Sequence, residues 1–491
     1  LSALAVAACT HGSADGDEDT GDTGDTGDTG DTGVEDNEIL EVEAILHEHQ
    51  PMVVDIVVRL AVPAEVGVVH DDDAGVVVAR IEGDAADETQ IFRLRGLAPE
   101  TEHAITVSAE GADDVPFSFE TNPPLDGFLP AFAVDATGNP PEDVWRLFDV
   151  GRFGIGEIGG VYLADTTGTT RWYVGGETTQ TGPGAVWTGI KLLDDGDVMF
   201  LRNDAMYVLD ELDGLDDPTL KVDASTLGVD LLHHDVLRMP NGDFLSMSAT
   251  IRDVDYPGEG ILPTVGDLLV EFDADGEVTW TWDAFDHLDP QRIRGGFEGA
   301  GADVPGHDWT HGNGIEYWEE EDLVVLCMRH QDWIVGIDHE TGEVKWKLGA
   351  EGDFALDSGR WFFHPHSPER QSDGGLLLYD NGVENPDIPD PMERSRAVRY
   401  ALDFDAMTAD QVWEDDEQDV MSPVMGDANH MQGGHVLVLD SALGFGQGAV
   451  HARIRELDPE GDPQRVWSMT TPPGYYAYRS LPVDRMVGVP R

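Results

Sequence analysis

The sequence predicts an all-β protein, a six-bladed β-propeller preceded by a small β-sandwich. Three observations predict it. Beyond about Phe128, a unit of strand, acidic or Gly turn, and Val- or Trp-bearing strand recurs at the spacing of propeller blades. Most copies follow a second hairpin, which makes four strands per unit. Ahead of them, from about Asn37 to Thr121, short strands of alternating hydropathy are separated by acidic and Gly turns.

Residues 1–9, Leu1-Ser2-Ala3-Leu4-Ala5-Val6-Ala7-Ala8-Cys9, read as the end of an apolar signal segment whose basic beginning is missing. Val6-Ala7-Ala8-Cys9 resembles the lipobox of bacterial lipoproteins, whose cysteine is lipidated. The expectation is an exported protein held by Cys9 to the bacterial outer membrane, on its periplasmic or cell-surface face. In residues 10–36, Asp-Thr-Gly recurs from Asp19 to Gly33 with nothing apolar to bury, the composition of a disordered acidic stalk. A calcium-binding array would need ligands fixed by a folded neighbour, and none is evident. Cys327 lies in the apolar run Leu323-Val324-Val325-Leu326-Cys327, a buried strand, so a disulfide with Cys9 is not expected.

The formal net charge of -70 excludes one class of partner. Nucleic-acid binding draws on counterion release by clustered cations, and this surface repels phosphate instead. The acidity runs along the whole chain, as a solvated surface does.

Residues 37–122 hold strands such as Val53-Val54-Asp55-Ile56-Val57-Val58-Arg59-Leu60 and Ile105-Thr106-Val107. Leu94-Arg95-Gly96-Leu97-Ala98-Pro99-Glu100-Thr101-Glu102-His103, followed by Phe117-Ser118-Phe119-Glu120-Thr121, resembles the end of a fibronectin type III module, which implies a fibronectin III/Ig-like sandwich. Pro123-Pro124 marks a stiff linker. The propeller is expected over 128–491. Its clearest repeats are Phe272-Asp273 to Trp280 and Ile337-Asp338 to Trp346; looser copies run Ala164-Asp165 to Trp172, Leu209-Asp210 to Val222, Leu402-Asp403 to Trp413 and Leu457-Asp458 to Trp467. The preceding hairpins turn at Asp195-Gly196-Asp197, Asn241-Gly242, Glu320-Glu321-Asp322, Asp373-Gly374 and Gly433-Gly434. Six units argue for a closed ring, because closure removes exposed edges; the degenerate first repeats leave five or seven open.

Histidines cluster where blades are expected to begin: Leu232-His233-His234-Asp235, Thr310-His311-Gly312-Asn313, Arg329-His330-Gln331-Asp332 and Phe363-His364-Pro365-His366-Ser367. In a propeller, first strands line the central channel, so these imidazoles and Arg329 are expected to converge into a cationic pocket for a dianion. The bland alternative for any one of them is a structural histidine bonded to a neighbouring strand.

His311-Gly312-Asn313, Arg329-His330-Gln331-Asp332, Ile337-Asp338 and Gly342-Glu343-Val344-Lys345-Trp346-Lys347-Leu348-Gly349 resemble the core of the bacterial aryl-sulfate sulfotransferases. Pro365-His366-Ser367, Tyr379-Asp380-Asn381-Gly382, Arg394-Ser395-Arg396 and Gln411-Val412-Trp413-Glu414 continue the pattern over about the last two thirds of the chain. The resemblance implies transfer of a sulfuryl group from a phenolic sulfate ester to a phenol acceptor, with no nucleotide sulfate donor and no cofactor or metal. It implies His366 as nucleophile, with His311 and Arg329 around the sulfuryl oxygens. The remaining family histidine falls on His234 or His233, with His234 chosen because it directly precedes Asp235. Asn313, His233, His364 and Asn381 are the expected substrate contacts. A neutral imidazole can attack sulfur and split one displacement into two, which predicts a sulfo-histidine and ping-pong kinetics.

His364, two residues before His366, would share its face in a strand, so which of the two attacks is open. Asn381, Arg396 and His430 are explained equally well by polar turns or bonds between blades. The rival from another class is a non-catalytic extracellular ligand-binding propeller. A quinone- or metal-dependent propeller enzyme is disfavoured because the histidines lack ligand spacing and Arg329 would repel a cation.

Overall fold

The computed structural model describes residues 37–71, 76–82, 87–136, 144–152, 157–177, 186–294, 306–386, 388, 394–446, 448 and 450–483. The signal-like segment with Cys9 and the Asp-Thr-Gly run lie outside them. The protein is all-β and divides into two compact units, Leu1–Leu125 and Asp126–Arg491.

In the first unit, Ile39–Leu46, Val53–Leu60, Thr89–Arg95 and Val77–Glu82 form one antiparallel sheet in that spatial order, and Val66–His70, Glu102–Ala109 and Val115–Glu120 form another. Strand alternation places Val54, Ile56 and Val58 in a core shared with Ile105, Val107, Phe117 and Phe119 of the second sheet. On the other face Asp55 meets Arg93 at 2.7 Å and His47 at 3.2 Å. Burial pushes the Asp55 carboxyl up, but these partners hold it at about 2.

Among the described residues the second unit holds six sheets, each built on four antiparallel strands. The first comprises Ser480–Val483, Trp145–Val150, Ile158–Ala164 and Thr170–Glu177, so its inner strand comes from the far end of the chain. In the second to fifth sheets the four antiparallel strands follow one another along the chain from inner strands Thr188–Leu192, His233–Arg238, Gly312–Trp318 and Pro365–Arg370, and the fifth adds Ala355–Ser358 in parallel at its outer edge. The sixth begins with Asp427–His430 and takes Ala133–Ala136 as an added outer strand. The inner strands contact one another in that cyclic order and back to Ser480–Val483. All six line one small cavity of about 200 Å³, through Leu481, Lys191, Asp235, Glu316, Glu369 and Asp427.

Each recurrent acidic turn joins the third and fourth strands of a sheet, and the Gly turns join the first and second. Gly196, Gly242, Gly374 and Gly434 have φ between 83° and 97°, a backbone that glycine adopts without a Cβ penalty. Outer-strand tryptophans fasten neighbouring sheets: Trp172 Nε1 donates to Glu211 O and Trp467 to Thr166 O, both at the repeat position, and Trp282, two residues beyond the repeat's Trp280, donates to Gly342 O. Each acceptor lies in the third-to-fourth turn of the next sheet, so the repeat is legible because it carries the contact between repeats.

Between the fifth and sixth sheets, fully buried Asp440 accepts from Arg455, Arg453 and Tyr379 at 2.6 to 3.1 Å. Burial raises its carboxyl, and the two guanidinium groups overcome this and hold it below the ordinary value. Asp440→Ala leaves Arg455 buried without its main counter-charge, so urea unfolding should show a loss of about 3–5 kcal/mol. A loss below about 1 kcal/mol would mean that water or Asp415 replaces the carboxylate.

Candidate active site

Three consecutive sheets bring histidines to the same end of their inner strands. His233 opens His233–Arg238, His311 precedes Gly312–Trp318, and His364 precedes Pro365–Arg370, which carries His366. His234, His311 and His364 have φ of 63°, 49° and 55°. For residues with a Cβ this left-handed region costs on the order of 1–3 kcal/mol each, and it persists where neighbours over-determine it. Buried aspartates supply that constraint: Asp267 accepts the Gly312 N–H at 2.7 Å, and Asp332 accepts the His364 N–H at 2.8 Å.

Ring contacts run unbroken through the cluster. His366 meets Tyr478 at 6.2 Å between centroids, Tyr478 meets His234 at 5.5 Å, His234 meets His311 at 5.1 Å, His311 meets His330 at 4.5 Å and His330 meets His364 at 5.9 Å. Arg329 lies in a short 3-10 turn, Arg329–Gln331, where it donates to Pro423 O at 3.2 Å. The expected position of that segment, at the start of a sheet, is corrected. It joins the second and third strands, and antiparallel pairing of Gly312 with Met328 brings it to the same end. Arg479 is a second guanidinium, bonded to Asn313 O at 2.7 Å and Gly426 O at 3.3 Å, so the cluster does not rest on one arginine.

The hydrogen bonds assign the tautomers. His366 Nδ1 lies 2.6 Å from Asn381 Oδ1, while Asn381 Nδ2 donates to the carbonyls of Ser422 and Met425. Those two acceptors fix the amide, so His366 Nδ1 is the donor and Nε2 carries the lone pair. Burial pushes the His366 imidazole well below its ordinary value, with Arg329, Arg479 and His311 acting in the same direction against the Asn381 bond. His233 Nε2 donates to Ser248 O at 3.1 Å, and its Nδ1 lies 2.6 Å from His234 Nδ1, so one of the two rings donates to the other. Burial pushes His234 well below the usual imidazole range, and neighbouring His233, His311, His366 and Arg479 add to the effect. His311 Nδ1 donates to Asp308 Oδ2 at 2.6 Å.

A cavity of about 620 Å³ opens against this cluster, lined by His233, His234, Asp308 and His311 with Leu231, Ile251, Val265 and Leu268. The apolar side chains suit an aromatic ring. His366 and Arg329 stand beside His234 and His311 and are not themselves in that lining.

The other expected residues separate. Asn381 orients His366. Asn313 is fully buried, its Nδ2 donates to Pro365 O at 2.8 Å and its backbone carbonyl accepts from Tyr478 and Arg479, which ties inner strands together. His364 donates from Nδ1 to Val383 O at 3.0 Å. It precedes the strand with a left-handed φ, so the alternation expected to put it on the face of His366 does not apply. Arg396 pairs with Asp380 at 2.8 Å inside its sheet, and His430 is exposed. Asp308, Tyr478 and Arg479 were not singled out from sequence. The first repeat lacks a preceding hairpin, and that is the signal that its inner strand, with Tyr478-Arg479 before it, comes from elsewhere. Among the described residues, Asp308, His311 and His330 each offer one donor within 4.8 Å of the others and could hold a cation.

The depressed imidazole sets a pH expectation. A base whose folded pKa lies well below 6.5 stays neutral as pH falls through 6.5 and protonates only near its lowered value. A reaction that uses this nitrogen as base or nucleophile should therefore keep its rate as pH falls through 6.5, measured by stopped flow. A loss centred near 6.5 would mean that an ordinary histidine does the work.

Residues 145–479 match the model of the family described as Arylsulfotransferase (ASST). A curated relative, the arylsulfate sulfotransferase AssT of Escherichia coli O6:H1, is 25% identical, with 57% of this chain and 54% of that protein covered. The chain thus spans about half the length of the curated relative it matches. Among solved structures, a protein of unknown function from Bacteroides thetaiotaomicron is similar at 12% identity and a TM-score of 0.32, covering 88% of this chain and 95% of that one. Hydrazine synthase of Kuenenia stuttgartiensis is similar at 12% identity and a TM-score of 0.32, covering 57% and 64%.

Proposed function

The chain belongs to the arylsulfotransferase (ASST) family, and from that premise we propose that it moves a sulfuryl group from a phenolic sulfate ester to a phenol through a sulfo-histidine on His366, without a nucleotide sulfate. One observation carries this: the Asn381 bond leaves Nε2 of a neutral, buried His366 as the nucleophile, with Arg329 close by. In the first half-reaction the His366 Nε2–S bond forms and the S–O bond to the aryl group breaks. Arg329, with His234 and His311, stabilises charge on the non-bridging oxygens. A protonated histidine protonates the departing phenolate. In the second half, a phenol oxygen attacks sulfur as the S–N bond breaks, the phenol proton returns to the histidine that protonated the phenolate, and His366 leaves neutral, which gives ping-pong kinetics.

The second unit is read as a six-bladed propeller, supported by the cyclic contacts of its inner strands and by the strand donated from residues 480–483. The first is read as a fibronectin III/Ig-like sandwich, supported by its strand orders of four and three. Lipidation at Cys9, and with it an outer-membrane location, rests on the lipobox-like sequence.

A chromogenic aryl sulfate tests the proposal. Coloured phenol should be released in proportion to added phenol acceptor, and the acceptor should recover as its sulfate ester, with no nucleotide present. Release that ignores the acceptor would make the protein a sulfatase, and no release would sink the proposal. The donor set of Asp308, His311 and His330 favours one competing reading, a bound metal. Full turnover after chelation counts against it; loss on chelation restored by zinc would support it.

A further inference from the structure

The second and third strands of the third sheet, Phe244–Tyr256 and Gly260–Phe272, are 13 residues each, against 5 to 8 for their counterparts in the other sheets. The extra length does two things. Ala249, Ile251 and Val265 wall the 620 Å³ cavity. Thr264 and Val265 also pair in parallel with His307 and Asp308, and Trp309 N donates to Val265 O at 3.0 Å. Asp308 is thereby held as part of a sheet, and from there its carboxylate takes the His311 Nδ1–H at 2.6 Å. Its backbone carbonyl takes the His330 Nδ1–H at 2.8 Å, which fixes the ring that packs at a tilt against His311.

We propose that Asp308, braced by this hairpin, is a positioning residue that makes His311 the proton carrier of the transfer reaction. The proposal rests on the function proposed above. A carboxylate at Nδ1 fixes the tautomer, assigns the proton exchange to Nε2 and stabilises the imidazolium. His234 has no such partner, since its Nδ1 bond goes to another imidazole, and nearby positive charge works against its protonation. When the donor reacts, the His366 Nε2–S bond forms, the S–O bond breaks, and the proton on His311 Nε2 passes to the departing aryl oxide. When the acceptor reacts, neutral His311 takes the phenol proton as the new O–S bond forms and the S–N bond breaks. Protons and electron pairs balance over the two halves, and no further reactant is needed.

The test is the first-step rate of Asp308→Asn across aryl sulfates of graded leaving-group acidity. Unsubstituted phenyl sulfate, whose oxide needs a proton, should slow by about 10²-fold, and a dinitrophenyl ester should slow by no more than a few-fold. The loss should fall on kcat, while KM changes little. In a His311→Ala background the Asp308→Asn change should add nothing, since the carboxylate acts only through that ring. An equal loss across the ester series, or a further loss in the double variant, would reduce Asp308 to a structural role and overturn the proposal. If Asp308→Asn does not fold, His311→Ala alone must show the same dependence on leaving group, and a flat response overturns it. Wild-type protein inert towards every ester would instead sink the sulfuryl-transfer function, so the two failures are distinguishable.

Discussion

His366→Ala is expected to lower kcat by at least about 10³-fold with every aryl sulfate, good and poor leaving groups alike. The uniformity follows from the role. Without Nε2 there is no covalent intermediate, and sulfur must then be attacked directly by phenol or water, whatever oxide departs. The site around the vacancy should stay intact, because Asn381 remains anchored by the Ser422 and Met425 carbonyls and the strand pairing of Pro365–Arg370 is a backbone property. The fall should therefore appear in kcat, with KM for the donor within a few-fold of wild type. His364→Ala is the control: its Nδ1 is spent on Val383 O and its ring meets His330 and not Tyr478, so it should not reproduce the loss. If His364→Ala abolishes turnover and His366→Ala does not, the assignment of the nucleophile is reversed.

Arg329→Ala should cost about 10²–10³-fold in kcat, the scale for removing one pre-aimed donor from a developing oxyanion. Arg479 cannot substitute, because it is fully buried and committed to Asn313 O and Gly426 O beside Asp235. Arg329→Lys keeps a point charge but not the planar fork, so it should recover only part of the loss. Steady-state kinetics on the three proteins checks this. A rise in KM at constant kcat would show that Arg329 binds the ester and its transition state equally, with no share in the chemistry.

The fold was legible because its repeat carries its own packing. The turn-to-strand unit could be read six times in the chain, and two of its tryptophans, Trp172 and Trp467, donate hydrogen bonds between neighbouring sheets. The strand donated from the C-terminal end was less legible, since the hairpin missing before the first repeat marks that a strand comes from elsewhere but does not identify residues 480–483 as its source. The site divides in the same way. His234, His311, Arg329 and His366 could be picked out because they stand in recognisable segments. Asp308 could not, because it is one acid among 98 Asp and Glu, and only its pairing with a hairpin some forty residues earlier gives it a direction. Asn381, expected at the substrate, holds His366 in place instead, since a buried amide with its partners met has little left for a ligand, and Asn313 donates its Nδ2 to Pro365 O between inner strands.

The central claim is that His366 takes the sulfuryl group covalently. Protein incubated with an aryl sulfate and no acceptor, quenched under alkaline conditions that preserve a nitrogen–sulfur bond, should carry one sulfuryl adduct by intact mass. Peptide mapping should place it on His366, and adding phenol before the quench should discharge it. An unmodified protein that nonetheless turns over donor and acceptor, or an adduct on His364 or His311, would contradict the account.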